Sequence, residues 1–299
     1  MVFKMIKELR NFLYGMAFGI TETIPGVSAG TIAIILGFYS ELIEAVNHFA
    51  EAPRKYLRFL LPLVLGIAAG LILFGSIIKY LLTNFSFPTM SFFIGLIAGI
   101  IPPIYSKVKE PGRGFKPKEI ALIGFPALVL VIISNLKAVT VEAPADIIAA
   151  IDIPFMFFIF LAGMIAAAAL VIPGISGSFV LLLIGIYPLV IHSLASIGHL
   201  FADITNIPLM LDICKVLGPL GVGIIIGGLS MARLIEKLLN NYYKTVYSII
   251  LGLLLGSVYA LFKEPIVFQS GMSAMIIASG AVTLSLGCAI SFNLGKKKL

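Results

Sequence analysis

Residues 24–39 read IPGVSAGTIAIILGFY, and residues 172–187 read IPGISGSFVLLLIGIY. Ile24/Ile172, Pro25/Pro173, Gly26/Gly174, Ser28/Ser176, Gly37/Gly185 and Tyr39/Tyr187 match at one constant offset, about half the chain apart. Both copies interrupt apolar, helix-like runs. Proline removes a backbone donor and stops the incoming helix, while glycine lets another group approach the backbone. At membrane depth such a break is tolerated only where the backbone lines a cavity or is buried in protein. Interrupted apolar segments at corresponding places in two halves point to the binding site of a secondary transporter. Two breaks therefore predict one site, built from both halves.

Composition sets the class. Of the 299 residues, 60% are hydrophobic and 12% charged, and the mean hydropathy is +1.11. A soluble domain of this size has no interior large enough for that much apolar surface, so the chain reads as an all-α polytopic membrane protein. The formal net charge of +7 does not call for a nucleic-acid partner, because Lys and Arg crowd into short loops between apolar spans, as the positive-inside bias requires. Cys214 and Cys288 lie in or beside apolar segments without metal-ligand spacing and read as small packing residues. The start, MVFKMIKELRNFLYGM, resembles a signal peptide, but Glu22 and Pro25 follow it without a small-residue cleavage site, so it is expected to be retained.

The repeat extends beyond the phrase. At a slightly larger offset Pro62 aligns with Pro219, Gly66 with Gly223, Gly70 with Gly227, Asn84 with Asn241, Gly95 with Gly252 and Gly99 with Gly256. Glycines four apart share a helix face and let backbones approach closely in lipid. The expected architecture is an inverted repeat, residues 1–150 and 151–299, each half a broken or re-entrant helical hairpin plus three transmembrane helices. The first half has a hairpin over 11–47 (arms 11–24 and 28–47) and spans 58–82, 88–105 and 119–136. The second has a hairpin over 154–199 (arms 154–172 and 175–199) and spans 213–232, 245–262 and 272–292. An arm over 11–24 reaches only about 21 Å at 1.5 Å per residue, short of a hydrocarbon core of roughly 30 Å, so the first pair is expected to turn back. The second is read the same way by analogy. With the N-terminus inside, cytoplasmic segments hold seventeen of the 21 basic residues. The outer loops carry Glu142, Asp146, Asp152, Asp203, Asp212 and Glu264. Both termini are therefore expected in the cytoplasm. Three crossings per half is an odd number, so the halves face opposite ways, as alternating access requires.

Each break supplies a helix start whose first N–H groups lack intrahelical partners. Pro25, Gly26, Val27, Ser28, Ala29, Gly30 and Thr31 form the first, and Pro173, Gly174, Ile175, Ser176, Gly177 and Ser178 the second. Ser28 and Ser176 stand where an N-cap or hydroxyl donor is useful. Two such ends favour an anion, phosphate above all, or a carboxylate; the alternative is a pair of kinks filled by serine side chains and water. Glu22 closes the incoming arm, where a negative charge opposes the helix dipole, and its repeat partner is the apolar Leu170. It reads as protonated, as paired with a base such as Arg10, as a ligand for a coupling H+ or Na+, or as a carboxylate reaching an interface. Glu41 and Glu44 are expected at headgroup level, and Asn84 and Asn241 as caps. His48, His192 and His199 sit at helix ends without metal spacing or a serine-acid partner. No Walker loop, GxSxG elbow or Cys/His cluster is present, so the chain is not read as an enzyme, and no cofactor is expected beyond the coupling ion.

The two phrases, ETIPGVSAGTIAIILGFY and LVIPGISGSFVLLLIGIY, resemble the paired motifs of the polyprenyl-phosphate transporter family, formerly domain of unknown function 368, along nearly the whole chain. The resemblance implies return of undecaprenyl phosphate, or an archaeal dolichyl-type equivalent, from the outer to the cytoplasmic leaflet. That places the chain in a prokaryotic plasma membrane, with the lipid and the bilayer as its partners; a homo-oligomer stays open. Glu22, Pro25, Gly26, Ser28, Gly30 and Thr31 fall on the first motif, and Pro173, Gly174, Ser176, Gly177 and Ser178 on the second. Glu22 stands where aspartate is commoner and Ala29 where glycine is usual, departures that bear on cavity width. The same architecture with a water-filled site would instead carry a small soluble anion.

Overall fold

The computed structural model describes residues 2–22, 27–109, 116–135, 148, 151–202, 205–263 and 273–298. These residues form twelve helices. They are α1 (Val2–Glu22), α2 (Ala29–Ile35), α3 (Tyr39–Asn47), α4 (Pro53–Asn84), α5 (Ser86–Val108), α6 (Pro117–Ser134), α7 (Ile153–Val171), α8 (Gly177–Ile184), α9 (Tyr187–Ala202), α10 (Ile207–Asn241), α11 (Tyr243–Lys263) and α12 (Ala274–Lys298). Seven of them, α4 to α7 and α10 to α12, are long and apolar enough to cross a membrane. The protein is thus an all-α polytopic membrane protein. Two further helix pairs are sharply bent, α2 with α3 by 116° and α8 with α9 by 113°.

The chain packs as two compact units, which do not follow the halves of the repeat. The first holds Met1–Asn135, Ile172–Ile175 and Arg233–Leu299; the second holds Leu136–Val171 and Ser176–Ala232. In the first unit α1 and α4 meet backbone to backbone. A Cβ added at Gly15 or Gly19 would overlap the carbonyl oxygens of Leu63 and Ile67, and one at Gly66 or Gly70 those of Phe12 and Met16. In the second unit α7 and α10 meet in the same register: Gly163 lies against the carbonyl of Leu220, and Gly223 and Gly227 against those of Phe160 and Met164. The repeated glycines are therefore helix-contact sites, as their spacing predicts.

The remaining matched glycines trade partners within the first unit. Gly95 and Gly99 of α5 press on the carbonyls of Leu284 and Cys288 in α12. Gly252 and Gly256 of α11 press on those of Ile123 and Ala127 in α6. An early helix thus packs on the last one, and a late helix on an early one. Cys288 lies within such a contact, whereas Cys214 is exposed, so the packing role expected of both cysteines holds for Cys288 alone.

The hairpins differ from the expectation in two respects. The first arm begins at Val2, not near residue 11, and its 21 residues reach about 31 Å. Shortness does not turn this chain back. Its return is shown by Glu41, which pairs with Lys7 at 3.2 Å and Arg10 at 3.8 Å, beside the start of α1. The outgoing arms, expected to run unbroken over 28–47 and 175–199, each stop after about two turns. Gly37 (φ 70°) and Gly185 (φ 91°) end α2 and α8 in left-handed backbone. The Phe38 N–H donates to the Ala33 carbonyl and the Ile186 N–H to Leu181, while Gly37 and Gly185 donate to Ile34 and Leu182. Both ends are Schellman caps, a geometry that glycine adopts without a Cβ penalty.

A polar band closes one end of the first unit, the end that the loop charges assign to the cytoplasm. Glu44 accepts from Lys55 at 3.0 Å and from Tyr56 at 2.9 Å. His48 bonds Glu51 and Glu236, both at 2.9 Å, and Asn47 donates to Glu236 at 2.6 Å. Glu41 and Glu44 are thus both held by basic side chains. Asn84 and Asn241 each donate back to the carbonyl four residues earlier, on Tyr80 and Lys237, and so act as caps.

Gly66→Ala and Gly223→Ala should each destabilise the folded protein by about 1–3 kcal/mol through overpacking, whereas Gly124→Ala, with nothing within 4 Å of the added Cβ, should be neutral. Thermal unfolding of the detergent-solubilised variants checks this. Hydrogen bonds that Glu51, then Glu236, accept from the ring raise the pKa of His48 above the usual histidine range. A raised folded-state pKa means that the tie is complete below the ordinary histidine value and is lost as pH rises through the raised one. The wild-type melting temperature should therefore fall over that interval relative to His48→Asn; parallel profiles would contradict it.

Candidate functional site

The first motif is built on a buried turn. Ser28 holds extended backbone (φ −89°, ψ 124°) at the N-cap of α2, and its carbonyl accepts from the Thr31 N–H at 3.0 Å. An N-cap serine ordinarily turns its hydroxyl onto the new helix. Ser28 does not. Its Oγ is buried without a partner, and so is the Thr31 Oγ1 one turn on. Ser28 is 1% exposed and Thr31 0%. Every residue of α2, Ala29 and Gly30 included, is buried, as is Val27. Pro25 and Gly26 lie outside the described residues.

Glu22 ends α1 just ahead of this turn, and its Oε1 is also buried without a hydrogen-bond partner. Pairing with Arg10, one of the sequence readings, does not occur: Arg10 reaches Glu41 and lies over the Tyr14 ring. Thr21 donates to the Phe18 carbonyl at 2.7 Å and offers Glu22 no proton.

The second motif repeats the backbone and changes the side-chain bonding. Ser176 caps α8 with φ −96° and ψ 131°, again without a side-chain cap. Its hydroxyl lies 2.8 Å from that of Ser178. Gly174 takes φ 93°, and a Cβ there would come within 2.9 Å of the Ser257 Oγ and 3.0 Å of the Leu253 Cβ. Its carbonyl accepts from the Ser257 hydroxyl at 2.8 Å. A Cβ added at Gly177 would come within 2.8 Å of the Ala166 carbonyl oxygen, so α8 runs back along α7. These two glycines thus serve close packing, on α11 and α7. Pro173 is buried, and Ile175 is half-buried beyond it. Sequence reasoning missed Ser257: its counterpart in the first half is the apolar Ile100, so the repeat gives no reason to single it out.

Acceptors and donors are treated differently around the breaks. The Gly174 carbonyl is satisfied by Ser257, and the ends of α2 and α8 by their Schellman bonds. The hydroxyls of Ser28 and Thr31 remain open. A buried polar group without a partner costs about 1–3 kcal/mol and calls for an occupant in the functional state. The hydroxyls of Ser28 and Thr31 can therefore still donate to the oxygens of an anion, while the open Glu22 Oε1 calls for a proton or a cation. Among the described residues no three of His, Cys, Asp and Glu come together as a metal site.

The chain was compared with known proteins. A family model described as VCA0040-like, undecaprenyl phosphate translocase-like, matches residues 18–277. The polyprenyl-phosphate transporter of Staphylococcus aureus is 28% identical over 289 residues, covering 96% of this chain and 95% of that protein. The polyprenyl-phosphate transporter of Vibrio cholerae is 28% identical over 268 residues, covering 85% of this chain and 77% of that one. No solved structure matches. The family match takes in both serine motifs and all seven membrane-crossing helices at least in part, and the chain belongs to the undecaprenyl phosphate translocase-like family.

Proposed function

We propose that the protein carries a polyprenyl phosphate lipid from the outer to the cytoplasmic leaflet, and that the two serine motifs hold its phosphate. The observation that carries this reading is the pair of buried, unpartnered hydroxyls on Ser28 and Thr31, in a chain whose relatives are polyprenyl-phosphate transporters. A phosphate taken out of water needs compensating donors. In the first motif these are the hydroxyls of Ser28 and Thr31, and in the second those of Ser176 and Ser178. Neither motif contains a lysine, so the phosphate is held there without a fixed charge that would trap it.

Turnover then follows alternating access between the two faces, with both termini in the cytoplasm. Glu22 is the coupling group. Its Oε1 is buried and unpaired, and an ionisable group at membrane depth needs a proton or a cation to stay there. H+ or Na+ fills that role. The protein performs transport, with no chemical step on the lipid.

Two measurements test this. In inside-out and right-side-out proteoliposomes, leaflet exchange of a fluorescent polyprenyl phosphate is followed by access to an impermeant quencher. Ser28→Ala and Ser176→Ala should each weaken phosphate retention roughly 10–100-fold, the value of one hydrogen bond to a charged group, with the protein still folded; Gly26→Leu should block exchange. Wild-type exchange by all three would remove the phosphate from this site, and uptake of a soluble anion in place of lipid exchange would change the substrate class. Separately, Glu22→Gln should flatten the dependence of exchange on pH or sodium. An unaltered profile in that variant would remove Glu22 from coupling.

A further inference from the structure

An apolar cavity of about 710 Å³ lies within the first unit, between α1, α2, α4, α5 and α12. It runs from Thr21 and Ile32, the neighbours of Glu22 and Thr31, to Asn84, Phe85 and Met275 at the end that the loop charges assign to the outer face. Phe85, Phe92 and Phe93 supply an aromatic wall. Its volume lies within the range of small-molecule sites.

The polar residues in this wall are turned away from it. Thr21 donates to the Phe18 carbonyl at 2.7 Å and Thr89 to that of Phe85 at 2.7 Å. Ser279 donates to Ile276 at 2.8 Å and Thr283 to Pro88 at 2.7 Å. Asn84, at the rim, donates to Tyr80. All four wall hydroxyls are thus spent on backbone carbonyls, whereas the hydroxyls of Ser28 and Thr31 are not. A site for a sugar or a second phosphate would offer donors; this one withholds them. The molecule therefore sets open hydroxyls near an apolar cavity whose own hydroxyls are spent, a division that matches an amphiphile with an anionic head and an apolar tail.

We propose that this cavity takes several isoprene units at the phosphate end of the lipid tail, more than the two that a geranyl chain supplies, entering from the outer leaflet while the rest of the chain stays in the bilayer. The cavity would then select long isoprenoid chains, and this rests on the transport reading given above. Branched, unsaturated isoprene units present methyl and vinyl groups to aromatic faces, which a saturated acyl chain matches less well.

The test compares the affinity of the purified protein for undecaprenyl phosphate and for geranyl phosphate, with phosphatidylglycerol as competitor. Ser279→Phe, which fills the cavity from α12, should cut the preference for the long chain over the short one at least tenfold. Ala17→Leu does the same from α1 and decides the matter if the first variant fails to fold. Ser285→Phe, on the exposed face of α12, should keep the wild-type preference. A wild-type chain-length preference that survives both filling substitutions would overturn the tail site and leave the transport reading intact. Equal competition by phosphatidylglycerol would also overturn it, as a general lipid site. Failure of the wild type to bind either phosphate would overturn both.

Discussion

Glycine facing a carbonyl oxygen is the contact on which the rest of this molecule depends. Lipid tails are as apolar as leucine, so helices in a membrane gain little from hiding side chains from one another. They gain instead from close approach of backbones. Gly66 and Gly70 meeting Phe12 and Met16, and Gly223 and Gly227 meeting Phe160 and Met164, give that approach at two places in one register. The same contact carries α5 on α12 and α11 on α6. With helix pairs fixed this way, short segments such as α2 can be held rigidly although seven residues are too few to form a stable helix alone.

A broken helix in a membrane exposes backbone groups that water cannot reach, and each needs a partner. The Schellman bonds beyond Ala33 and Leu181 and the hydroxyl of Ser257 meet that need for acceptors. Ser28 stands at a cap position with cap backbone angles, yet its hydroxyl caps nothing. With these carbonyls satisfied and the hydroxyls of Ser28 and Thr31 open, there is a place for oxygen atoms that the protein does not itself supply, and the open Oε1 of Glu22 calls for a proton or a cation. The neighbouring cavity, whose own hydroxyls are all consumed, makes the contrast sharper. Polarity around α1 and α2 is set less by residue type than by which hydroxyls are already in use.

Much of this was legible in the sequence, and the boundary has physical causes. The doubled PG[VI]S phrase located the turns, and the repeated glycine pairs located the helix contacts, because both rest on residue types with few alternative uses. The second break is less legible, although Gly37 and Gly185 are among the matched residues: both follow an apolar helix without a polar residue in its last turn, and the aromatic Phe38 and Tyr39 and the apolar Ile186 continue the run beyond them. The reach of α1 is hard to read because basic residues such as Lys7 and Arg10 resemble a loop, whereas long basic side chains can continue a helix to the interface. Open hydroxyls could not be read at all. Thr89 and Thr31 are alike in sequence, and only the geometry tells that one has donated its proton to Phe85 and the other has no acceptor.

The exchange of partners between early and late helices has a consequence for how the protein is made. α5 is threaded into the membrane well before α12, yet the surface around Gly95 and Gly99 has nothing to close on until the end of the chain emerges. α6 likewise waits for α11. During synthesis the first half must therefore persist with its glycine faces uncovered, which is where insertion chaperones and membrane proteases find unfinished chains. The α6 face closes when α11 emerges and the α5 face only when α12 does, so a nascent chain arrested before α12 leaves the first unit open while α7 and α10 can already have joined.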